Sequence, residues 1–164
     1  MQHVTRNTSL TVLAVLAAPL LLIASDQTNF TGSWKLDPAR SPSARGATVT
    51  VNIKQQAGTI TYDRSMKRED GKVEEAHFTC SIGKECVYDE NGHKAKVSFW
   101  FDGPALMILK TKGPKDDATT ERKLSLSPDG KTLNIEFTNL DLDKSGKPET
   151  LVFVKQPPLT AAVQ

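Results

Sequence analysis

The chain has 164 residues, a length for one domain, with a net charge of +2, 24% charged residues and only 6% aromatic ones. Charges of both signs are interspersed and nearly cancel, which excludes a general pull toward nucleic acid or an anionic membrane surface. No P-loop, G-x-S-x-G or H-E-x-x-H pattern is present, so the sequence offers no familiar catalytic motif.

The N-terminus has the three parts of a secretory signal. A polar stretch holds His3 and Arg6, the apolar run Leu10 to Ile23 follows with Pro19 inside it, and small residues close it at Ala24 and Ser25. A signal peptide over 1–25 is therefore expected, with cleavage after Ala24 or Ser25. The alternative is an uncleaved anchor, but the run falls short of the roughly 18 to 20 apolar residues that a spanning helix needs. No Cys stands at the exit to carry a lipid. Removing 25 of the 164 residues leaves 139, and losing Arg6 leaves 20 basic against 19 acidic residues, a net charge of +1. No second long apolar stretch follows, so no membrane span is expected after cleavage. A periplasmic or secreted protein is the resulting expectation.

Beyond residue 26 the periodicity is that of strands. Gly32 to Asp37 puts Trp34 and Leu36 on one face; Val49, Val51 and Ile53 alternate with Thr50 and Asn52; Ile60 and Tyr62 alternate with Thr61 and Asp63. Val73 to Ile82 continues less regularly. In Ala95 to Phe101, Val97, Phe99 and Phe101 share a face, which turns Trp100 outward, where a loop, the flanking chain or a second layer is expected to cover it. Ala105 to Thr111 is apolar on both faces. Leu124 and Leu126 share a face in the segment from Thr119, Leu133, Ile135 and Phe137 share one in the next, and Leu151 to Lys155 ends the series. These are nine candidate strands, of which eight or nine are expected to form.

Asp70-Gly71, Asn91-Gly92, Asp129-Gly130 and Ser145-Gly146 are hairpin turn pairs, and Asp102-Gly103-Pro104 and Gly113-Pro114 mark further breaks. Spacing this short requires antiparallel neighbours, because parallel ones need a long crossover. The expected fold is all-β, an up-and-down antiparallel barrel of about eight strands over residues 26–156, with a frayed tail at 157–164. Residues 37–46 are too polar and proline-rich for a strand and can cross one mouth or end of the barrel.

Cys80 and Cys86 are the only cysteines, and in an exported chain they favour a disulfide. Gly83 lets the intervening segment turn back. So small a loop contributes on the order of 2 kcal/mol by chain entropy. The order His77, Cys80, Cys86, His93 has no familiar zinc spacing, and a C-x-x-C redox pair is missing. Asp141 to Gly146 imitates half of a calcium loop, but the twelfth position is Val152 rather than Glu. No metal and no cofactor is therefore assigned. Adjacent carboxylates, Glu74-Glu75 and Asp116-Asp117, would face opposite sides of a strand, a poor geometry for a catalytic pair. No catalytic residue is assigned and no enzyme is expected.

The segment Phe30-Thr31-Gly32-Ser33-Trp34-Lys35-Leu36, just after a signal, resembles the Gly-x-Trp opening of lipocalins and their calycin relatives. More specifically, Phe30 to Ser41 and Gly92 to Trp100 are similar to stretches of exported bacterial proteins described as lipocalin-like. The resemblance implies a barrel whose closed end is crossed by Trp34, and it carries no activity with it. Classical lipocalins also have a late Arg; Arg122 is the only Arg late in this chain and is not assigned that role. A barrel of this size can enclose one small apolar ligand. Its lining, or else its core, would come from Trp34, Val51, Ile53, Phe99, Phe101, Leu126, Ile135 and Phe153. The competing reading is a non-catalytic structural or interaction module of the cell envelope with a filled core, and in either case a monomer is expected. An open apolar cavity with a few polar groups favours the first reading; a filled interior favours the second.

Overall fold

A computed structural model describes residues 27–44, 46–111, 118–141 and 148–158. The expected signal, the Asp141 to Gly146 turn beyond its first residue, the Gly113-Pro114 break and the last six residues lie outside the described residues. Ten strands follow one another: β1 (Gly32–Leu36), β2 (Thr48–Gln56), β3 (Thr59–Lys67), β4 (Val73–Ser81), β5 (Glu85–Glu90), β6 (His93–Asp102), β7 (Ala105–Thr111), β8 (Thr120–Leu126), β9 (Thr132–Asn139) and β10 (Glu149–Lys155). Every strand pairs antiparallel with its sequence neighbours, and β1 pairs with β10 to close the barrel. Closure leaves no edge strand to recruit another chain.

The barrel has ten strands where about eight were expected. The strand missing from the sequence reading is β5, Glu-Cys-Val-Tyr-Asp-Glu, in which only Tyr88 is fully buried. Too few inward apolar residues remain there to show an alternation. Elsewhere the period of two holds: Val49, Val51 and Ile53 on β2, and Leu106 and Ile108 on β7, are buried to 3% exposure or less. Trp100 is 37% exposed, contrary to the expectation that it would be covered, because the barrel is a single layer whose outer face meets solvent. The turns are those the dipeptides specify. Asn91 and Gly92 both have positive φ, 52° and 81°, as a two-residue hairpin turn requires.

The two ends differ. At the end where β1 begins, the Trp34 indole is fully buried and its Nε1–H donates to the Phe30 carbonyl at 3.1 Å. Phe30 in turn meets Phe101 at 6.3 Å between ring centroids, and Lys155 Nζ lies 5.2 Å from the Trp34 ring. Lys155 stands directly opposite Trp34 in the β1–β10 register, so the cation on this Trp comes from the last strand and is a Lys. This end is plugged. At the other end the loop after β1 bends inward through a 3₁₀ turn, Pro42–Ala44. Ser41, fully buried, anchors it: its Oγ accepts from Val152 N–H at 2.9 Å, and Asp37 N–H donates to Val152 O at 2.8 Å. Ala44 and Ala47 pack against the core, so the polar loop partly covers one mouth.

Candidate functional site

Beneath that loop the barrel is not filled. A cavity of about 290 Å³ opens toward the mouth. Its apolar wall is Val49, Val51, Met66, Ile135, Leu151 and Phe153, with Tyr62 and Phe137 beside them and Ser43, Ala44 and Ala47 above. Arg64 and Arg122 face it from opposite parts of the barrel, and Arg68 and Glu149 stand at its rim. Of the residues singled out from sequence, Val51, Ile135 and Phe153 line this cavity. Trp34, Ile53 and Phe99 are buried in the core, while Phe101 and Leu126 pack against it partly exposed. These five lie outside the cavity wall because their positions along the strands fall toward the plugged end.

The polar part of the site escaped the sequence reading, although its signal was there. On β8 the period that turns Leu124 and Leu126 inward also turns Thr120 and Arg122 inward; on β3 the period of Ile60 and Tyr62 continues to Arg64 and Met66. Arg122 is 8% exposed and Thr120 6%, a depth at which charged and hydroxyl side chains ordinarily have partners. Arg64 is paired with Glu90, and Lys110 Nζ lies 3.9 Å from the same carboxylate. Arg122 instead stacks on rings, 5.8 Å from the centroid of Tyr88 and 5.4 Å from that of Phe137. Among the described residues three buried side-chain donors have no hydrogen-bond partner: Arg122 Nη1, Arg64 Nε and Thr120 Oγ1. Burial pushes the Tyr88 phenol up to about 12, against the opposing pull of Arg122 and Arg64, so it is a neutral donor at physiological pH; its O–H lies 3.5 Å from Glu90 Oε1.

A buried donor without an acceptor costs about 1–3 kcal/mol, and more when it is charged. Two such atoms here are on Arg64 and Arg122, residues that line one cavity. The arrangement can accept an anion and an apolar body together, and it holds no nucleophile–base pair. The Cys80–Cys86 disulfide is formed, with Cα atoms 5.6 Å apart, so neither sulfur is free to bind a metal. His77 instead pairs with Asp63 on the outer face. Among the described residues no helix is long and apolar enough to cross a membrane.

No family model and no curated protein matches the sequence. Solved structures do match in shape. A protein named REP1-NXSQ fatty acid transporter superposes with a TM-score of 0.57 at 15% identity, covering 77% of this chain and 96% of its own. Lipid binding protein 8 of Caenorhabditis elegans, in its apo form, gives 0.56 at 14%, covering 77% and 95%. A mutant of the fluorescent protein UnaG gives 0.54 at 16%, covering 78% and 96%. At such low identity the likeness is one of fold alone: this chain is a closed antiparallel β-barrel, similar in architecture to these three proteins.

Proposed function

We propose that the protein is an exported, non-catalytic carrier of a small amphipathic ligand. The ligand's apolar body lies against Val51, Met66, Ile135, Leu151 and Phe153, and its anionic group meets Arg122 and Arg64. The observation that carries the reading is a pair of arginines, Arg64 and Arg122, each with a buried nitrogen lacking a partner, among the residues that line a largely apolar cavity. A carboxylate or sulfonate in the cavity gives these guanidinium groups an acceptor once their side chains turn toward it, which offsets the desolvation cost that the empty barrel bears. At about 290 Å³ the cavity sits at the lower edge of the roughly 300–1,000 Å³ range of ligand sites, which favours a compact molecule. The names of two of the structural neighbours, a fatty acid transporter and a lipid binding protein, support the same class. The signal-like N-terminus and the disulfide support export. An open cavity disfavours a filled interaction module.

The test is displacement of an anilinonaphthalene sulfonate probe by a size series of apolar carboxylic acids and their methyl esters. Acids are expected to bind roughly tenfold or more tighter than esters of the same body. Equal affinities for acid and ester, or no displacement by either, would refute the reading.

A further inference from the structure

The barrel wall has one place where its hydrogen-bonded ladder stops. β3 and β4 pair over nine positions and β5 pairs with β6 along all six of its residues, yet β4 and β5 pair only at Ala76–Glu90 and His77–Asp89. Two further bonds lie on the mouth side, Asn91 N–H to Glu75 O at 3.0 Å and Glu75 N–H to Asn91 Oδ1 at 2.8 Å. Toward the plugged end the connecting turn is closed by Lys84 N–H to Ser81 O at 3.1 Å and tied to neighbouring strands: Ile82 N–H donates to Gly58 O at 2.8 Å, and Gly83 N–H to Phe99 O at 3.2 Å. The Thr79 hydroxyl bonds to Thr61 on β3 at 3.0 Å. Each lip of the seam is thus held from its far side. Extending the register from Ala76–Glu90 and His77–Asp89 places Cys80 opposite Cys86, so the disulfide spans the lips where the ladder is missing.

What lies behind the seam connects it to the cavity. Phe78 and Tyr88, both 1% exposed, are the inward residues of the two lips. Their rings are 6.3 Å apart, and Phe78 stacks at 5.3 Å on Tyr62, which lines the cavity. Outside, Val87 is 58% exposed, so that side of the lip faces solvent.

We propose that the β4–β5 seam is a second passage into the barrel, latched by the Cys80–Cys86 disulfide and opened by its reduction; the passage rests on the carrier reading given above. A dithiol reductant supplies the two electrons. Its thiolate attacks Sγ of Cys86, the less buried of the two residues, forming a mixed disulfide while Cys80 leaves as a thiolate and takes up a proton. The reductant's second thiol, as its thiolate, then displaces Cys86, which is also protonated, and the reductant departs as its own disulfide. With the latch gone, the lips share no ladder hydrogen bond between the mouth-side rungs and the turn at 82–84, and in that window the Phe78 and Tyr88 rings become the moving part. Ligand exchange then speeds up while affinity, set by the cavity wall, is retained.

The experiment compares oxidised protein, dithiothreitol-reduced protein and the Cys80→Ala/Cys86→Ala variant by two readouts. Amide hydrogen exchange is expected to rise across 78–88 in both unlatched forms by about tenfold more than it rises across β8 and β9, which follow only the loss of global stability. Stopped-flow binding of the anilinonaphthalene sulfonate probe is expected to show association and dissociation accelerated together, roughly tenfold, at constant Kd. A new bridge in the Ala variant, Thr79→Cys with Val87→Cys, restores slow exchange. Acceleration across 78–88 no greater than that across β8 and β9 would overturn the proposal, since the disulfide would then staple only the fold as a whole. Unchanged exchange at 78–88 would overturn it as well. If the probe fails to bind even the oxidised protein, the carrier reading falls, and local hydrogen exchange alone decides whether the seam is latched.

Discussion

Replacing Arg122 with Met should weaken anion binding while leaving the empty barrel nearly as stable as before, or more so. The change removes the unpartnered Nη1, whose burial costs about 1–3 kcal/mol. It also removes two ring contacts, on Tyr88 and Phe137, of about 0.5–1 kcal/mol each. The balance runs from about 1 kcal/mol less stable to about 2 kcal/mol more stable, and Met keeps most of the side-chain length that packs there. For a domain of this size that is a shift of about 3–5 °C in Tm per kcal/mol, read by circular dichroism melts. In the complex the same substitution deletes a charge-assisted hydrogen bond of about 1.5–3 kcal/mol, so Kd for an apolar carboxylate should rise about 10- to 150-fold. The methyl ester should lose far less. A variant destabilised by more than about 4 kcal/mol, with acid affinity unchanged, would refute the reasoning, because Arg122 would then be holding the fold rather than awaiting an anion.

Trp34→Ala should cost about 3–5 kcal/mol in urea unfolding, since a fully buried indole and its bond to the Phe30 carbonyl are both lost; a cost below 1 kcal/mol would show that the plugged end is loosely packed. Removing the disulfide as Cys80→Ala/Cys86→Ala should lower global stability by only about 2 kcal/mol, because it closes a short loop, and a two-state denaturant midpoint measures this directly. Tyr88 sets the alkaline limit. Its folded pKa is raised to about 12 by burial, so the folded state binds the phenolic proton more tightly than the unfolded chain does. Stability is fully present below about pH 10 and is lost as pH rises from there through 12; a Tyr88→Phe variant should show a flatter alkaline limb in pH-dependent melts.

Much of the architecture is determined locally. Alternation along β2, β6 and β9 settles which side chains turn inward, and dipeptides such as Asn91-Gly92 settle where the chain reverses, because both depend on backbone geometry over a few residues. From these the antiparallel meander follows, and two cysteines in a chain with an export-type N-terminus, with Gly83 between them to turn the chain, make the disulfide legible. β5 was not legible, since a strand with one fully buried residue has almost no periodic signal.

The site belongs to the other category. That Arg122 and Arg64 turn inward is already written in the period of their strands, but an inward position says nothing of what stands opposite. Only closure of β1 on β10 and the cumulative register around ten strands bring Glu90 between Arg64 and Lys110 and leave Arg122 on aromatic rings with an unpartnered nitrogen. Whether Val51 and Phe153 bound a cavity while Ile53 and Phe99 fill a core depends likewise on their height along the barrel. That height is the sum of every rung between them, a long-range quantity that no short stretch of sequence contains.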